Sequence, residues 1–266
     1  MIMPTKQERM GALDQQAPMH ERKVLISISD LRKSFGKNEV LRGFSLTLYD
    51  QENLIIVGKS GSGKSVLLKC IVRLDLPDSG QLIVLDKNVP ELSREEMDIL
   101  RADIGFLFQG SALYDSMTVR ENLEFPLRRH KDRIQIENIE MLVQEALHNV
   151  GLSHAIDLIP SELSGGMKRR IALARAIILK PKIILYDEPS SGLDPITARE
   201  ISHLILDIQK IYKTASLIIT HDIDFAKSIG NRFIVLKDGV DYASGTYDDL
   251  VQSEDPDVKA FFNYAL

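Results

Sequence analysis

The 266-residue sequence predicts an α/β fold built on a mainly parallel sheet. Four short apolar runs, each bounded by turn residues, have the character of strands that are buried on both faces of such a sheet. An earlier segment alternates apolar and polar residues, as half-exposed antiparallel strands do. A third segment, over about 109–179, carries apolar residues at helical spacing. We therefore predict a mainly parallel core, an N-terminal antiparallel β layer and an inserted helical subdomain.

The N-terminal part divides into two segments. Residues 1–23 are mostly polar and have no apolar run of signal-peptide length, so we predict a flexible extension there. The antiparallel layer is predicted to follow, because two stretches alternate apolar and polar residues. The apolar positions assigned to its buried face are Val24, Ile26, Ile28, Phe44, Leu46 and Leu48.

The parallel core is predicted from apolar runs at Leu54–Val57, Ile183–Tyr186, Leu217–Ile219 and Phe233–Leu236. Lys237-Asp238-Gly239, followed by Val240 to Tyr242, predicts a hairpin. One domain is expected over 24–250, followed by a C-terminal tail over 251–266. Packing on the chain's own core, docking on a second copy and docking on a small regulatory partner all stay open for that tail. Its aromatic residues are Phe261, Phe262 and Tyr264.

The inserted helical subdomain contains one strongly periodic segment. Apolar residues recur at helical spacing over 139–150, and Gly151 is a suitable residue to end that helix. Two further helices are predicted from capping boxes, in which a Ser or Thr precedes a Glu by three residues. These boxes are Ser93 with Glu96 and Thr118 with Glu121.

Composition excludes several classes of function. Lys and Arg number 33 against 38 Asp and Glu, a net charge of −5, so no overall basic field attracts nucleic acid. The single cysteine, Cys70, cannot form an intrachain disulfide, and we expect a cytosolic protein in which Cys70 serves packing. No stretch reaches the roughly 18 apolar residues of a membrane-spanning helix. A role at a membrane would therefore require another chain to span it.

The most informative motif is the run Gly58–Ser65, which has the spacing GxxxxGKS and directly follows the first parallel strand. Glycines let the backbone curl so that several N–H groups converge on phosphate oxygens. Lys64 is expected to reach the β and γ phosphates and Ser65 to supply a hydroxyl to Mg²⁺. The following helix directs its positive end at the anion. The predicted nucleotide contacts are Gly58, Lys59, Ser60, Gly61, Ser62, Gly63, Lys64, Ser65 and the backbone N–H of Val66.

Two adjacent acids end the strand at Ile183–Tyr186, and successive side chains on a strand point to opposite sides. The two carboxylates are therefore expected to have different roles. Asp187 would hold Mg²⁺ through water, whereas Glu188 would face the γ phosphate and polarise the attacking water as general base.

A second glycine motif makes a family resemblance specific. Leu163-Ser164-Gly165-Gly166-Met167 opens a helix and resembles the signature of ATP-binding cassette (ABC) ATPases, which have a P-loop NTPase fold. The resemblance covers the chain from about Val24 to Phe262. It implies that Ser164, Gly165 and Gly166 bind the ATP of a second copy, so that the ATPase works as a head-to-tail homodimer with two ATP molecules between the protomers.

The other family elements appear in the expected order. The resemblance implies that Gln109 contacts Mg²⁺ and water, and that the loop containing Asp194 crosses the dimer interface. It also implies that His221 contacts the γ phosphate and positions the water. Phe35 is placed where the family stacks an aromatic ring on adenine. The implied ligands are therefore ATP and Mg²⁺.

Two departures narrow the resemblance. The family's signature usually ends in glutamine, but this chain has Met167, followed by the basic cluster Lys168–Arg170. Val66 also stands where a threonine is common, which removes one hydroxyl contact but keeps a backbone N–H. With the segments around Gln109 and Pro160–Leu163, the Met167 signature resembles the ATPases of MCE-type lipid transporters, the maintenance-of-lipid-asymmetry systems.

This resemblance implies a peripheral subunit at the cytoplasmic face of a bacterial inner membrane. Two copies would drive transmembrane permease subunits, with an MCE-domain protein carrying phospholipid between the inner and outer membranes. The presence of a small regulatory subunit as a further partner stays open. Two alternatives stay open at this point. One is the ATPase of an importer for amino acids or another small solute, which would share every catalytic motif. The other is an ABC ATPase without a membrane partner.

Overall fold

The computed structural model describes residues 22–130 and 138–262. Almost all of the predicted N-terminal extension, and Tyr264 of the tail, lie outside the described residues. Within them, the predicted α/β architecture is confirmed, with one antiparallel sheet and one mainly parallel sheet.

The antiparallel sheet has the strand order β2-β1-β4-β5. Its strands are β1 (Val24–Phe35), β2 (Asn38–Tyr49), β4 (Ser79–Val84) and β5 (Lys87–Asn88). The alternating pattern predicted β1 and β2, but β4 and β5 come from chain beyond the phosphate-binding motif. The placement of Val24 on the buried face is wrong: it is 40% exposed, and a register shift between Val24 and Ile26 buries Leu25 instead.

The second sheet has the order β10-β9-β3-β8-β7-β6 and is parallel except for the β9–β10 hairpin, which was predicted. The four predicted runs form β3 (Asn53–Val57), β7 (Ile183–Asp187), β8 (Ala215–Thr220) and β9 (Arg232–Lys237); β10 is Val240–Gly245. Strand β6 (Ile104–Leu107) was not predicted. Its Gly105 weakens the pattern, yet a Cβ there would lie 2.5 Å from the Ala176 carbonyl oxygen, so the close helix requires glycine.

The α-helices of the described residues are α1 (Lys64–Ile71), α2 (Arg94–Ala102), α3 (Val119–Arg129), α4 (Ile139–Asn149), α5 (Gly165–Ile177), α6 (Pro195–Tyr212), α7 (Ile223–Ile229), α8 (Tyr247–Val251) and α9 (Pro256–Phe262). Both predicted capping boxes are present, with Ser93 before α2 and Thr118 before α3. The periodic segment forms α4, and Gly151 follows it with a φ of 70°.

Alternate residues of the parallel strands pack on opposite faces of the sheet, as a strand's period of two requires. Leu54 and Ile56 belong to the hydrophobic cluster beneath the antiparallel sheet, whereas Ile55 and Val57 belong to the cluster beneath α6 and α7. A third cluster joins α3, α4 and one face of α5. The opposite face of α5 packs on the second cluster, so α5 connects the helical insertion to the parallel core. The domain boundaries themselves stay a prediction.

The described part of the C-terminal tail packs on the chain's own core. Phe262 is buried, and its ring centroid lies 6.2 Å from that of Phe233 and 5.8 Å from that of Tyr247. Lys237 and Asp257 form an ion pair of 2.5 Å that also holds α9. This packing was one of the three possibilities that the sequence left open.

Cys70 is buried in the first cluster, as predicted, and burial raises the pKa of its thiol to about 12. The thiol is therefore protonated and unreactive at neutral pH. No helix among residues 22–130 and 138–262 combines the length and the apolar character needed to cross a membrane.

Candidate functional site

The phosphate-binding loop Gly58–Ser65 connects β3 to α1 and has no room for side chains at two of its glycines. A Cβ at Gly58 would lie 2.6 Å from the carbonyl oxygen of Leu236. Gly63 has a φ of 103°, and a Cβ there would lie 2.9 Å from Cγ1 of Val40. The loop therefore adopts its tight curve because these positions are glycine.

Lys64 begins α1 and is almost completely buried, with 7% of its surface exposed. Its Nζ donates hydrogen bonds to the carbonyl oxygens of Gly58, at 2.8 Å, and Lys59, at 3.1 Å. It also lies 4.0 Å from Oε1 of Glu188. Burial lowers the pKa of Lys64, and the charges of Glu188 and Asp187 oppose that effect. The ammonium is therefore held inside the loop, where phosphate oxygens could replace the carbonyl groups.

The two predicted carboxylates lie where β7 ends. Asp187 accepts a hydrogen bond of 3.1 Å from the Ser65 hydroxyl, so the structure brings together two of the three residues predicted to hold Mg²⁺. Their oxygen donors suit this hard cation. No group of three or more His, Cys, Asp or Glu side chains in the described chain could hold a metal ion by itself. A bound Mg²⁺ would supply positive charge to the phosphate oxygens, and those oxygens would complete its ligand set.

The ionised carboxylate of Asp187 destabilises the folded protein, so a variant without this charge is expected to be more stable than the wild type. Burial raises the pKa of Asp187; the Ser65 hydroxyl opposes this, and the charge of Glu188 raises the pKa further. The carboxyl group of Asp187 therefore binds a proton more tightly in the folded protein than in the unfolded chain. This protonation stabilises the folded protein at low pH, and that stabilisation is lost as the pH rises from 3.8 through the raised pKa of Asp187. We expect Asp187→Asn to raise the free energy of unfolding of the nucleotide-free protein at neutral pH.

Denaturant unfolding without nucleotide, at neutral pH and in mild acid, measures this effect. The advantage of the variant over the wild type should be larger at neutral pH. Asp194→Asn is the matched control with the opposite sign, because hydrogen bonds from Thr197 lower the pKa of Asp194. A less stable Asp187→Asn protein at neutral pH would contradict the prediction.

Glu188 and His221 form a close pair at the edge of the site. Nδ1 of His221 lies 2.8 Å from Oε2 of Glu188, and the backbone N–H of His221 is directed at the same oxygen from 3.3 Å. Glu188 is 8% exposed and has a φ of 50°, in the left-handed region that non-glycine residues seldom occupy. Such strain persists only where the surrounding structure imposes it, and it is concentrated at functional sites.

These groups open onto a cavity of about 880 Å³. That volume lies in the range of sites for ligands as large as a nucleotide. Phe35 lies on the cavity wall with 47% of its surface exposed, and Nζ of Lys33 lies 5.1 Å from the centroid of its ring. The predicted site residues that line the cavity are Phe35, Gly58, Lys59, Ser60, Gly61, Gly63, Lys64, Ser65, Val66, Gln109, Glu188 and His221.

The predicted signature and interface residues lie elsewhere in the chain. Ser164 caps α5, its hydroxyl accepting a hydrogen bond of 3.2 Å from the Met167 N–H. Asp194 caps α6 by accepting from the N–H groups of Ile196 and Thr197. Neither these residues nor Gly165 and Gly166 line the cavity. A single chain thus does not bring its signature to its own phosphate-binding loop.

The structure also brings to the site two residues that the sequence analysis named but did not assign to it. Phe261 of α9 lines the cavity, although it is distant in sequence from the motifs. Arg169 is buried behind the cavity, between the segments that contain Gln109 and Ser191. Arg169 lies three and four residues before the buried Ala172 and Leu173, a spacing that places all three on one face of the helix and indicates burial. No pattern in the sequence around Phe261 indicated that it lines the cavity.

Comparisons with known proteins show to which family this chain is similar. A family model described as ABC transporter matches residues 41–191. The chain is 38% identical over 240 residues to a probable ribonucleotide transport ATP-binding protein, mkl, of Mycobacterium tuberculosis, covering 90% of this chain and 67% of that protein. It is 38% identical over 252 residues to the methionine import ATP-binding protein MetN of Campylobacter jejuni, covering 89% of this chain and 75% of that protein.

Among solved structures, the chain resembles the dimeric ATP-binding cassette MJ0796 in a post-hydrolysis state bound to ADP and Pi. The TM-score is 0.75 at 32% identity, covering 84% of this chain and 98% of that chain. ATPase domains of this kind work as dimers together with transmembrane permease components. The phosphate-binding loop, the two acids and these matches lead to one conclusion: the chain belongs to the ABC transporter family of ATP-binding proteins and is an ATP-hydrolysing enzyme.

Proposed function

We propose that this chain is the ATPase subunit of an MCE-type phospholipid transporter. Two copies bind the cytoplasmic side of permease subunits in a bacterial inner membrane. A periplasmic MCE-domain protein carries phospholipid between the inner and outer membranes. Nothing in this chain needs to contact lipid, because its contribution is the energy of ATP hydrolysis.

Each ATP lies between the phosphate-binding loop of one copy and the Ser164–Gly166 segment of the other. Lys64 neutralises the β and γ phosphates, and Phe35 stacks on the adenine. Glu188 is the general base, and His221 and Gln109 position the attacking water. Ser65, Asp187 and Gln109 would hold Mg²⁺, which would supply positive charge to the phosphates. In-line attack on the γ phosphate then depends on positioning and charge stabilisation. Asp194 lies in the loop between the two copies.

Met167 is the observation that supports lipid transport over other ABC functions. Its side chain is half-buried and packs against the third hydrophobic cluster, which joins α3, α4 and one face of α5. A glutamine amide at this position would bring hydrogen-bonding groups to an apolar contact. Methionine in place of the usual glutamine therefore suits a helical subdomain whose apolar packing differs from that of other ABC ATPases. The other segments that resemble lipid-transporter ATPases lie in the same part of the chain.

A small-solute importer is the second candidate, because two relatives are named for ribonucleotide transport and methionine import. The catalytic residues do not separate the candidates, since both hydrolyse ATP in the same way. The permease and its extracytoplasmic partner do separate them. The test must therefore identify proteins bound to this chain.

The experiment is affinity purification of the tagged full-length chain from membranes of its native host, followed by mass spectrometry of proteins and lipids. We expect a permease, an MCE-domain protein and bound phospholipid. Recovery of a solute-binding protein would favour the importer, and absence from the membrane fraction would favour an ABC ATPase without a membrane partner. Purification of the Lys64→Ala protein controls for partners that require nucleotide.

A further inference from the structure

The basic cluster Lys168–Arg170, which follows the signature, divides into residues with different surroundings. Arg169 is buried, with 5% of its surface exposed, whereas Lys168 and Arg170 are half-buried. Nη2 of Arg170 forms an ion pair of 2.5 Å with Oε2 of Glu200 on α6. Arg169 instead directs its guanidinium into the interior behind the nucleotide cavity.

The guanidinium of Arg169 joins two loops. Nη1 donates a hydrogen bond of 2.9 Å to the carbonyl oxygen of Phe108, the residue before Gln109. Nη2 donates a hydrogen bond of 3.2 Å to the carbonyl oxygen of Ser191, three residues before Asp194. Between these loops, Nε2 of Gln109 makes a long contact of 3.5 Å with Oγ of Ser191. The planar guanidinium of Arg169 therefore holds the two segments between which the weak Gln109–Ser191 contact forms.

Burying the guanidinium of Arg169 is expected to contribute little to the stability of the fold. Burial lowers the pKa of Arg169, and only the more distant charge of Asp187 opposes that effect. Nε of Arg169 has no hydrogen-bond partner within the described chain. A buried charge without a close counter-ion is weak as a stabilising device. The planar fork of arginine is, however, suited to hold two carbonyl groups at a set separation.

We propose that Arg169 is a positioning residue, which holds Gln109 and the loop before Asp194 in register with the signature helix α5. Helix α5 begins at Ser164–Gly166, the segment proposed to bind the ATP of the second copy. Arg169 therefore connects this segment to Gln109, which lines the cavity of its own copy. This proposal rests on the catalytic role of Gln109 given above. The guanidinium acts through Gln109 and does not contact ATP.

The test compares Arg169→Met and Arg169→Lys with Arg170→Gln, a matched control that removes the neighbouring guanidinium from a pair facing away from the cavity. We expect Arg169→Met to lower kcat at saturating ATP by about tenfold, while the Kd for ATP changes by less than about twofold. Arg169→Lys should recover part of the rate, because one ammonium can bind one of the two carbonyl groups. Arg170→Gln should keep a kcat within about twofold of the wild type.

A double-mutant cycle with Gln109→Ala separates positioning from general damage. If Arg169 acts through Gln109, Arg169→Met should lower kcat by a smaller factor in the Gln109→Ala background than in the wild type. Independent, multiplicative losses would overturn the proposal, and so would a wild-type rate for Arg169→Met. A wild-type rate for Gln109→Ala would instead remove the catalytic role of Gln109, and with it the proposal.

Hydrogen exchange tests the same inference without activity and reveals any variant that fails to fold. In Arg169→Met, amides over 106–112 and 189–194 should exchange faster than in the wild type, while those of β3 and β8 should be unchanged. Arg170→Gln should leave the first two segments protected. Uniformly faster exchange over the whole chain would overturn the proposal, because it would show a general structural role.

Discussion

Glu188→Gln is expected to lower kcat for ATP hydrolysis by about 10²–10⁴-fold, the contribution typical of a general base. Glutamine keeps the shape of the side chain and can still accept a hydrogen bond from Nδ1 of His221, which lies 2.8 Å from Glu188. It removes a negative charge 4.0 Å from Nζ of Lys64, so the site becomes more favourable for the anionic phosphates. ATP affinity should therefore be unchanged or higher.

The same variant should accumulate as an ATP-bound dimer, because hydrolysis is the step expected to reopen it. Steady-state phosphate release, ATP binding by calorimetry and size-exclusion chromatography with ATP measure the three effects. Glu254→Gln is a suitable control, since it makes the same substitution at an exposed carboxylate that does not line the cavity. Wild-type turnover of Glu188→Gln would refute the assignment of the base.

Lys64→Ala is expected to weaken ATP binding by about tenfold to 150-fold, which corresponds to the loss of a charge-assisted hydrogen bond of about 1.5–3 kcal/mol. The ammonium lies 4.0 Å from Oε1 of Glu188. Without it, the buried carboxylates Asp187 and Glu188 face the incoming phosphates with less compensating charge. The carbonyl groups of Gly58 and Lys59 also lose their donor.

Lys210→Ala provides the matched control for Lys64→Ala. Lys210 also lies on a helix, α6, is exposed and does not line the cavity. The control variant should bind ATP with wild-type affinity, whereas Lys64→Ala should also show a low hydrolysis rate at ATP concentrations that saturate the wild type. Equal ATP affinity of the Lys64→Ala and wild-type proteins would contradict the assignment of the phosphate-binding loop.

Local sequence patterns predicted the elements whose causes are local. The phosphate-binding loop depends on glycines at set positions, and the close contacts of Gly58 and Gly63 show why other residues would not fit. The capping boxes at Ser93 and Thr118 form within four residues. The buried strands of the parallel sheet were predictable because apolar runs of that length have few other stable environments. The catalytic roles assigned to these residues stay predictions.

The missed features depend on contacts between distant segments. Strand β6 was hidden by Gly105, which is required only because α5 passes so close to it. Val24 follows the apolar pattern, but a register shift in the pairing of β1 with β2 leaves it exposed. Phe261 reaches the cavity because Phe262 is anchored beneath it on Phe233 and Tyr247.

Nucleotide binding through Gly58–Ser65 and the resemblance to ABC ATPases could be inferred from the amino-acid sequence, because backbone curvature and residue chemistry at close spacing require little else. The strained backbone of Glu188, its contact with His221 and the hydrogen bonds by which Arg169 connects the Gln109 segment to Ser191 became visible only in the folded chain. These contacts join residues far apart in the chain. Their geometry follows from how the sheets and helices pack, and packing is a property of the whole fold.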